Sequence, residues 1–164
     1  MNISNIDTPF TIVPYAPKYR ADFERLNLAW LQAYSLIEPA DMQQLKNPQL
    51  HILSKGGEIF FATKDDVVVG TCAAIRLSDT TFELAKLSVD PAVRGLGLGR
   101  LLSEAVINFA RQAGALTVVL TSNSSLKRAI GLYESLGFIH TAAPKNIQYD
   151  SANVFMSLML SKGT

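Results

Sequence analysis

The first half of the chain contains short runs of alternating or continuous apolar residues that predict β-strands. Residues 10–15 alternate between apolar and polar positions, and Pro9 and Pro14 favour an edge position for this strand. Short polar turns, Asp65-Asp66 and Ser78-Asp79, separate the next three runs, which therefore predict an antiparallel meander. These three predicted strands are residues 58–63, 67–77 and 81–89.

Helical periodicity marks four other segments, in which apolar residues recur every three to four positions. We predict helices that begin near residues 17, 38, 101 and 126. The second helix is expected to break at Asn47-Pro48, and the third to end near Gly114. The fourth is expected to be capped by Ser124-Ser125 and closed by Gly137.

Strand-like segments also follow the last two predicted helices. Residues 116–121 should pair in parallel with residues 81–89, because a helix connects the two strands. Another strand should begin at Phe138, followed by a loop over residues 145–150 and a final strand over 153–160. The pattern predicts an α/β fold: a mixed, mostly antiparallel sheet with a central parallel strand pair, flanked by helices.

Composition favours one globular domain over residues 1–164, since 48% of the residues are hydrophobic and 18% are charged. The 15 basic and 14 acidic residues give a net charge of +1 without a basic run, so nothing supports a nucleic-acid or membrane partner. The first residues lack a secretory pattern, so a cytoplasmic protein is expected. A homodimer is left open.

Cysteine and histidine usage narrows the chemistry. Cys72 is the one cysteine, which excludes an internal disulfide, and we interpret it as a buried filler in a small-residue strand. His51 and His140 are far apart in sequence and give no local metal-ligand spacing. We therefore predict no metal site.

The most informative segment is a glycine-rich turn between the strand that ends at Val89 and the helix that follows it. Asp90-Pro91 stops the strand, and Gly95, Gly97 and Gly99 lead into the helix between Arg94 and Arg100. Glycines allow a ligand to approach the backbone closely. The first-turn N–H groups and the helix dipole favour an anion such as phosphate. Similar turns also occur without a ligand, as plain structural turns.

Two common phosphate-binding motifs do not match this turn. A P-loop requires Gly-Lys-Ser/Thr at the helix start, whereas the chain has Gly99-Arg100-Leu101. A dinucleotide fingerprint requires a third glycine where this chain has Arg100 or Leu102. The pattern that does match is Arg-x-x-Gly-x-Gly, formed by Arg94, Gly97 and Gly99.

That pattern resembles the pyrophosphate loop of the GNAT acetyltransferase family. Residues 132–138, Leu-Tyr-Glu-Ser-Leu-Gly-Phe, are similar to the signature that ends the last helix of that family. The two motifs stand in the same order, with a helix and a strand between them, and the likeness extends over nearly the whole chain.

The resemblance implies acetyl-CoA as the co-substrate. It places backbone groups of Leu87 and Val89 along the pantetheine arm and the acetyl carbonyl, with a backbone N–H near Val89 polarising that carbonyl. The residues implied to grip the pyrophosphate are Arg94, Gly95, Leu96, Gly97, Leu98, Gly99 and Arg100. Many members carry an Asn where this chain has Leu126, so backbone groups or Asn123 would have to hold the pantetheine.

Two side chains are candidate catalytic residues by the same resemblance. Tyr133 would act as the general acid that protonates the departing thiolate, and its alternative is a core tyrosine. Glu83 lies six positions before Val89, so we expect both side chains on one face of the strand. Glu83 would act as the base that removes the amine's proton, and its alternative is a surface carboxylate paired with a lysine.

Acidic and aromatic residues near the first two predicted helices are candidates for contact with a cationic amine. They are Trp30, Tyr34, Glu38 and Asp41. The alternative is strong: Trp30 and Tyr34 stand at core spacing, and Glu38 fits the start of a helix.

We therefore predict an N-acetyltransferase that moves acetyl from acetyl-CoA to a primary amine, on a small molecule or a peptide, by direct attack. No nucleophile elbow or triad spacing suggests a covalent acyl-enzyme. The alternatives are a non-catalytic acyl-CoA-binding module and an acyltransferase that uses another CoA thioester.

Overall fold

The computed structural model describes residues 10–33, 39–143 and 152–160. Within these residues the strands are β1 (Thr11–Pro14), β2 (Glu58–Lys64), β3 (Val67–Arg76), β4 (Thr81–Val89), β5 (Thr117–Ser122), β6 (Ile139–His140) and β7 (Val154–Met159). The α-helices are α1 (Arg20–Ala33), α2 (Pro39–Lys46), α3 (Pro48–His51), α4 (Leu98–Gln112) and α5 (Lys127–Ser135). Short 3-10 turns cover Pro17–Tyr19, Leu53–Lys55 and Pro91–Val93.

The strands form one sheet in the order β1-β2-β3-β4-β5-β7-β6. Strands β4 and β5 are parallel, and the other neighbouring pairs are antiparallel. The helix α4 connects the parallel pair, as such a crossover requires. The predicted mixed sheet with a central parallel pair is confirmed.

Strand alternation separates two apolar cores on opposite faces of the sheet. On one face, Cys72 and Ala74 of β3 lie in a core with Leu102 and Val106 of α4, and Tyr133 of α5 belongs to the same core. On the other face, strand residues pack against α1 and α2. That second core contains Phe23, Leu26, Leu45, Ile59, Phe61, Ala73 and Ile75.

The predicted break at Asn47-Pro48 is confirmed, because α2 ends at Lys46. Pro48 does not only end a helix: it occupies the first turn of α3, and the Asn47 side chain accepts a hydrogen bond from the Leu50 N–H at 3.3 Å. The predicted cap of the fourth helix is wrong: this helix begins at Lys127 without a side-chain cap. The Ser124 hydroxyl instead accepts a hydrogen bond from Asn153 Nδ2 at 3.1 Å. The loop predicted over 145–150 lies outside the described residues.

Strands β4 and β5 pair over only three rungs, from Thr81↔Thr117 to Glu83↔Val119. Beyond these rungs β4 continues along β3 and β5 continues along β7. The two strands therefore part in the middle of the sheet, and one edge of β4 is left without a strand neighbour from about residue 84 onward.

A β-bulge interrupts β4 at Lys86. Thr71 of β3 is opposite Ser88 and Ala73 is opposite Ala85, so β4 holds one extra residue between these rungs. Lys86 has φ of 59°, and among the described strand residues it is the one non-glycine residue with positive φ. The extra residue reverses the alternation of side chains along the strand.

The expected common face of Glu83 and Val89 is therefore wrong. Before the bulge, Phe82 and Leu84 face the α4 core while Ala85 packs on the α1 core, so Glu83 faces α1. After the bulge, Val89 faces the α4 core. A simple period of two cannot reveal an inserted residue, which is why the sequence gives no warning of this change.

Candidate active site

A cleft of about 700 Å³ opens where β4 and β5 part. Residues 83–87 of β4 form one wall, and residues 121–123 at the end of β5 form the other. The start of α4, the helix α5 and part of α1 complete the lining. Most of the residues that the sequence singled out meet at this cleft.

The glycine turn forms one end of the cleft. Gly95 and Gly97 both have φ of 84°, a left-handed conformation that side chains disfavour. The first N–H to donate within the α4 turn is that of Leu101, to Gly97 O at 3.1 Å. Leu98 and Gly99 lie before Leu101 in this first turn, so no helical carbonyl is available to accept from their N–H groups. Gly95, Gly97, Leu98 and Gly99 line the cleft, so this end is suited to an anion.

The two arginines of the turn differ in position. Arg94 lines the cleft and its Nε donates to Val89 O at 3.3 Å. Arg100 does not line the cleft: its guanidinium donates to Ser135 Oγ and joins α4 to the end of α5. Leu96 also lies outside the lining, with 60% of its surface exposed. Of the seven consecutive residues predicted to grip the pyrophosphate, Arg94, Gly95 and residues 97–99 line the cleft.

The backbone of Val89 faces the cleft. Asp90 N–H donates to Val69 O at 2.8 Å, and these two residues are opposite each other because Gly70 is opposite Val89. Hydrogen-bonded and non-hydrogen-bonded pairs alternate in an antiparallel ladder, so the N–H of Val89 points away from β3. It points toward the edge where β5 has parted from β4.

Tyr133 lies at the cleft with 7% of its surface exposed. Its ring meets Phe138 edge-on, with the ring centroids 5.9 Å apart. Burial raises the pKa of its hydroxyl, and the nearby Cys72 adds to the shift. Within the described part of the chain no protein group is hydrogen-bonded to that hydroxyl. The phenol is therefore a protonated donor that faces a cleft.

The pantetheine candidate Asn123 lines the cleft at the end of β5. Its Oδ1 accepts from Ser125 N–H at 2.9 Å, so part of its hydrogen-bonding capacity holds the turn before α5. Leu126, the residue that replaces the usual Asn, is buried and also lines the cleft.

The opposite end of the cleft holds Glu83, which is only 9% exposed and lies on the last rung of the β4–β5 pairing. Leu87 lines the cleft between the two ends, and Trp30 lines it from α1. Tyr34 and Glu38 lie outside the described residues, and so does the side chain of Asp41. Their predicted roles in binding an amine stay predictions.

Sequence reasoning missed several polar residues of the lining, among them Asn27, Lys86, Lys127 and Arg128. Asn27 follows Phe23 by one helical turn on a buried face, so a polar residue in an apolar stripe was a readable signal. Lys86 lines the cleft at the bulge in β4, for which the sequence gives no signal. Lys127 and Arg128 form the first turn of α5.

Comparison with known proteins identifies the family. The family model described as Acetyltransferase (GNAT) family matches residues 23–138, which include the cleft-lining parts of α1, β4, α4 and α5. The chain belongs to the GNAT acetyltransferase family.

Curated relatives agree with this assignment. The chain is 35% identical to human N-acetyltransferase 8B over 118 residues, which is 68% of this chain and 51% of that protein. It is 35% identical to rat N-acetylaspartate synthetase over 117 residues, 71% of this chain and 38% of that protein. The chain thus spans about half or less of the length of these relatives.

Solved structures share the fold. A GNAT acetyltransferase from Staphylococcus aureus has a TM-score of 0.83 at 24% identity, covering 93% of this chain and 100% of that one. An acetyltransferase from Salmonella typhimurium, solved with its cofactor acetyl-CoA, has a TM-score of 0.74 at 26% identity, covering 95% and 96%.

Two features are absent from the described residues. No cluster of three or more His, Cys, Asp or Glu side chains suitable for a metal ion occurs among them. No helix among them is long and apolar enough to cross a membrane.

Proposed function

We propose that the protein transfers acetyl from acetyl-CoA to a primary amine by direct attack. The observation that supports this most is the continuity of one cleft. It joins the anion-binding turn at Gly97, the backbone N–H of Val89, the hydroxyl of Tyr133 and the carboxylate of Glu83. These groups are the ones that acetyl transfer from a thioester to an amine requires.

The glycine turn fits the pyrophosphate of acetyl-CoA. A Cβ built on Gly95 or Gly97 meets no atom within 4 Å, so the space above both residues is open to a ligand. Arg94 adds a full positive charge beside the turn. Acetyl-CoA, when bound, supplies the thioester carbonyl that the amine attacks. Its thioester arm would follow the unpaired edge of β4 from the turn toward Glu83.

The chain's own groups then have separate tasks. Glu83, directly or through a water, takes the proton of the amine so that its nitrogen is free to attack. Val89 N–H donates to the carbonyl oxygen as negative charge develops on it. The C–N bond forms and the C–S bond breaks, while the nitrogen releases its remaining extra proton to water, from which the Tyr133 oxygen is reprotonated. Tyr133 gives its proton to the sulfur that leaves, and its raised pKa ensures that the phenol is protonated at neutral pH.

The experiment is an amine panel with acetyl-CoA, in which free thiol is measured with a chromogenic disulfide and the acetylated product by mass spectrometry. We expect thiol release that depends on both acetyl-CoA and one class of amine. A thermal shift with CoA but no acetylation of any amine would favour the non-catalytic acyl-CoA-binding module. Faster turnover with a longer acyl-CoA would mean that another CoA thioester is the preferred donor, and the proposed mechanism would be unchanged.

A further inference from the structure

The end of the cleft away from the glycine turn carries both signs of charge. Asn27 and Trp30 from α1 line it together with Glu83 and Lys86 from β4. Glu83 and Lys86 each have an interaction partner within the protein. A ligand at this end therefore meets an acidic group, an amide and a basic group within a few residues of one another.

Helix α1 is fixed against this part of β4. Ser88 Oγ donates to Leu26 O at 2.8 Å, and Ser88 is two residues beyond Lys86. Asn27, the next residue of α1, is 2% exposed and its Nδ2 donates to Phe23 O at 2.9 Å. Because its amide nitrogen is engaged in the helix, its Oδ1 is the atom left to accept from a ligand.

Lys86 owes its position to the bulge. An inserted strand residue bends the strand and re-aims its side chain, and a lysine with φ of 59° is uncommon. The other basic residues of the lining, Arg94, Lys127 and Arg128, belong to the glycine turn and the start of α5. Lys86 is thus the basic residue that the described lining offers beside Glu83.

We infer that the acceptor is an amino-acid-like molecule, which carries a carboxylate as well as the reacting amine. The amine binds at Glu83 and the Oδ1 of Asn27, and the carboxylate binds Lys86. Trp30 provides an apolar surface for the rest of the molecule. This inference deepens the proposed function and rests on it for the identity of the cleft.

The test compares pairs of acceptors that differ only in the charge of the carboxylate: amino acids and their primary amides. For each pair we measure the ratio of kcat/KM values, and also binding to the CoA-saturated protein by calorimetry. The wild type should prefer the acid. Lys86→Met should reduce the ratio about 10- to 100-fold, the range for losing a hydrogen bond to a charged group. Lys86→Arg should restore much of it.

Lys55→Met is the matched control, because Lys55 lies in the 3-10 turn after α3 and outside the cleft lining. Its ratio should equal that of the wild type. Equal use of acid and amide by the wild type, or a preference that Lys86→Met retains, would overturn the inference and leave the proposed function standing. Lys86-dependent binding of the acid without acetylation of any amine would instead support the inference and overturn the proposed function.

Discussion

The hydroxyl of Ser88 donates a hydrogen bond to the backbone carbonyl of Leu26 at 2.8 Å, and both residues are buried. This contact joins α1 to β4 two residues after the bulge at Lys86. It therefore couples the wall that contributes Asn27 and Trp30 to the wall that contributes Glu83.

Replacing Ser88 with Ala should cost about 1–2 kcal/mol of unfolding free energy, because a buried hydrogen bond is lost. It should also raise the KM for the acceptor more than that for acetyl-CoA, since the contact fixes Asn27 and Trp30 of α1, which we propose to hold the acceptor. Urea denaturation and steady-state kinetics measure the two effects. Ser54→Ala removes a similar hydroxyl-to-carbonyl bond, to Leu50, from an exposed site and should change neither. Equal changes in unfolding free energy and in acceptor KM for Ser88→Ala and Ser54→Ala would contradict the coupling between α1 and β4.

Gly97→Val should abolish the stabilisation by acetyl-CoA, which amounts to roughly 2.7 kcal/mol at about a hundred times Kd. The new side chain would occupy the space above the turn. Gly114→Val is the matched control: its φ is 88°, against 84° for Gly97, and neither glycine has an atom within 4 Å of an added Cβ. Both variants should lose similar intrinsic stability, but only Gly97→Val should lose the thermal shift. An intact shift in folded Gly97→Val would exclude the turn from the binding site.

Cys72 gives the protein a dependence of stability on alkaline pH. The thiol is fully buried, and burial raises its pKa from the usual 9.0. The contribution of this thiol to the free energy of unfolding is complete below pH 9. It decreases above pH 9, because the unfolded chain releases the proton while the folded chain keeps it. The free energy of unfolding of the wild type should therefore fall relative to that of Cys72→Ala by about 2 kcal/mol between pH 8 and pH 10.5. Urea titrations at both pH values measure this difference, and a constant difference would contradict it.

The sequence could predict the order of elements and the glycine turn because both depend on local patterns. Strand β4 was predicted with its observed bounds, since turn residues precede Thr81 and Asp90-Pro91 follows Val89. The relation between Glu83 and Val89 could not be predicted, because it depends on the single inserted residue at Lys86. That residue is accommodated by pairing with β3, a contact between distant parts of the chain.

The role of Arg100 shows a second limit of sequence reasoning. Its position in the motif suggests a phosphate contact, yet its side chain reaches Ser135 at the end of α5. A motif gives the spacing of residues along one helix, whereas the direction of a long side chain depends on what that helix packs against. Arg94, which precedes the helix, does line the cleft.

Tyr133→Phe should lower kcat by about 10²- to 10⁴-fold and leave acetyl-CoA affinity nearly unchanged, because only the proton donor is lost. Its ring still packs against Phe138, so the fold is retained. Tyr19→Phe serves as the control, since Tyr19 packs against Phe61 on the other face of the sheet. Wild-type turnover in Tyr133→Phe would assign the residue to the core alone.

Glu83→Gln should separate a catalytic base from an anchor for the substrate. If Glu83 takes the amine's proton, the variant should be slow near neutral pH. It should recover at high pH, where the free amine forms unaided, since alkylammonium groups have pKa values near 10. An anchoring carboxylate would instead raise KM at every pH and leave the shape of the profile unchanged.

The measurement is kcat and kcat/KM against pH for wild type, Glu83→Gln and the control Glu104→Gln, whose carboxylate is exposed on α4 and outside the cleft. Glu83 is 9% exposed at the last shared rung of β4 and β5, and it lines the cleft. The base assignment requires that the ratio of wild-type to Glu83→Gln kcat narrows as pH rises. A ratio that stays constant across the range, with the difference confined to KM, would make Glu83 the amine anchor. The proton would then have to leave through another group or through water in the cleft.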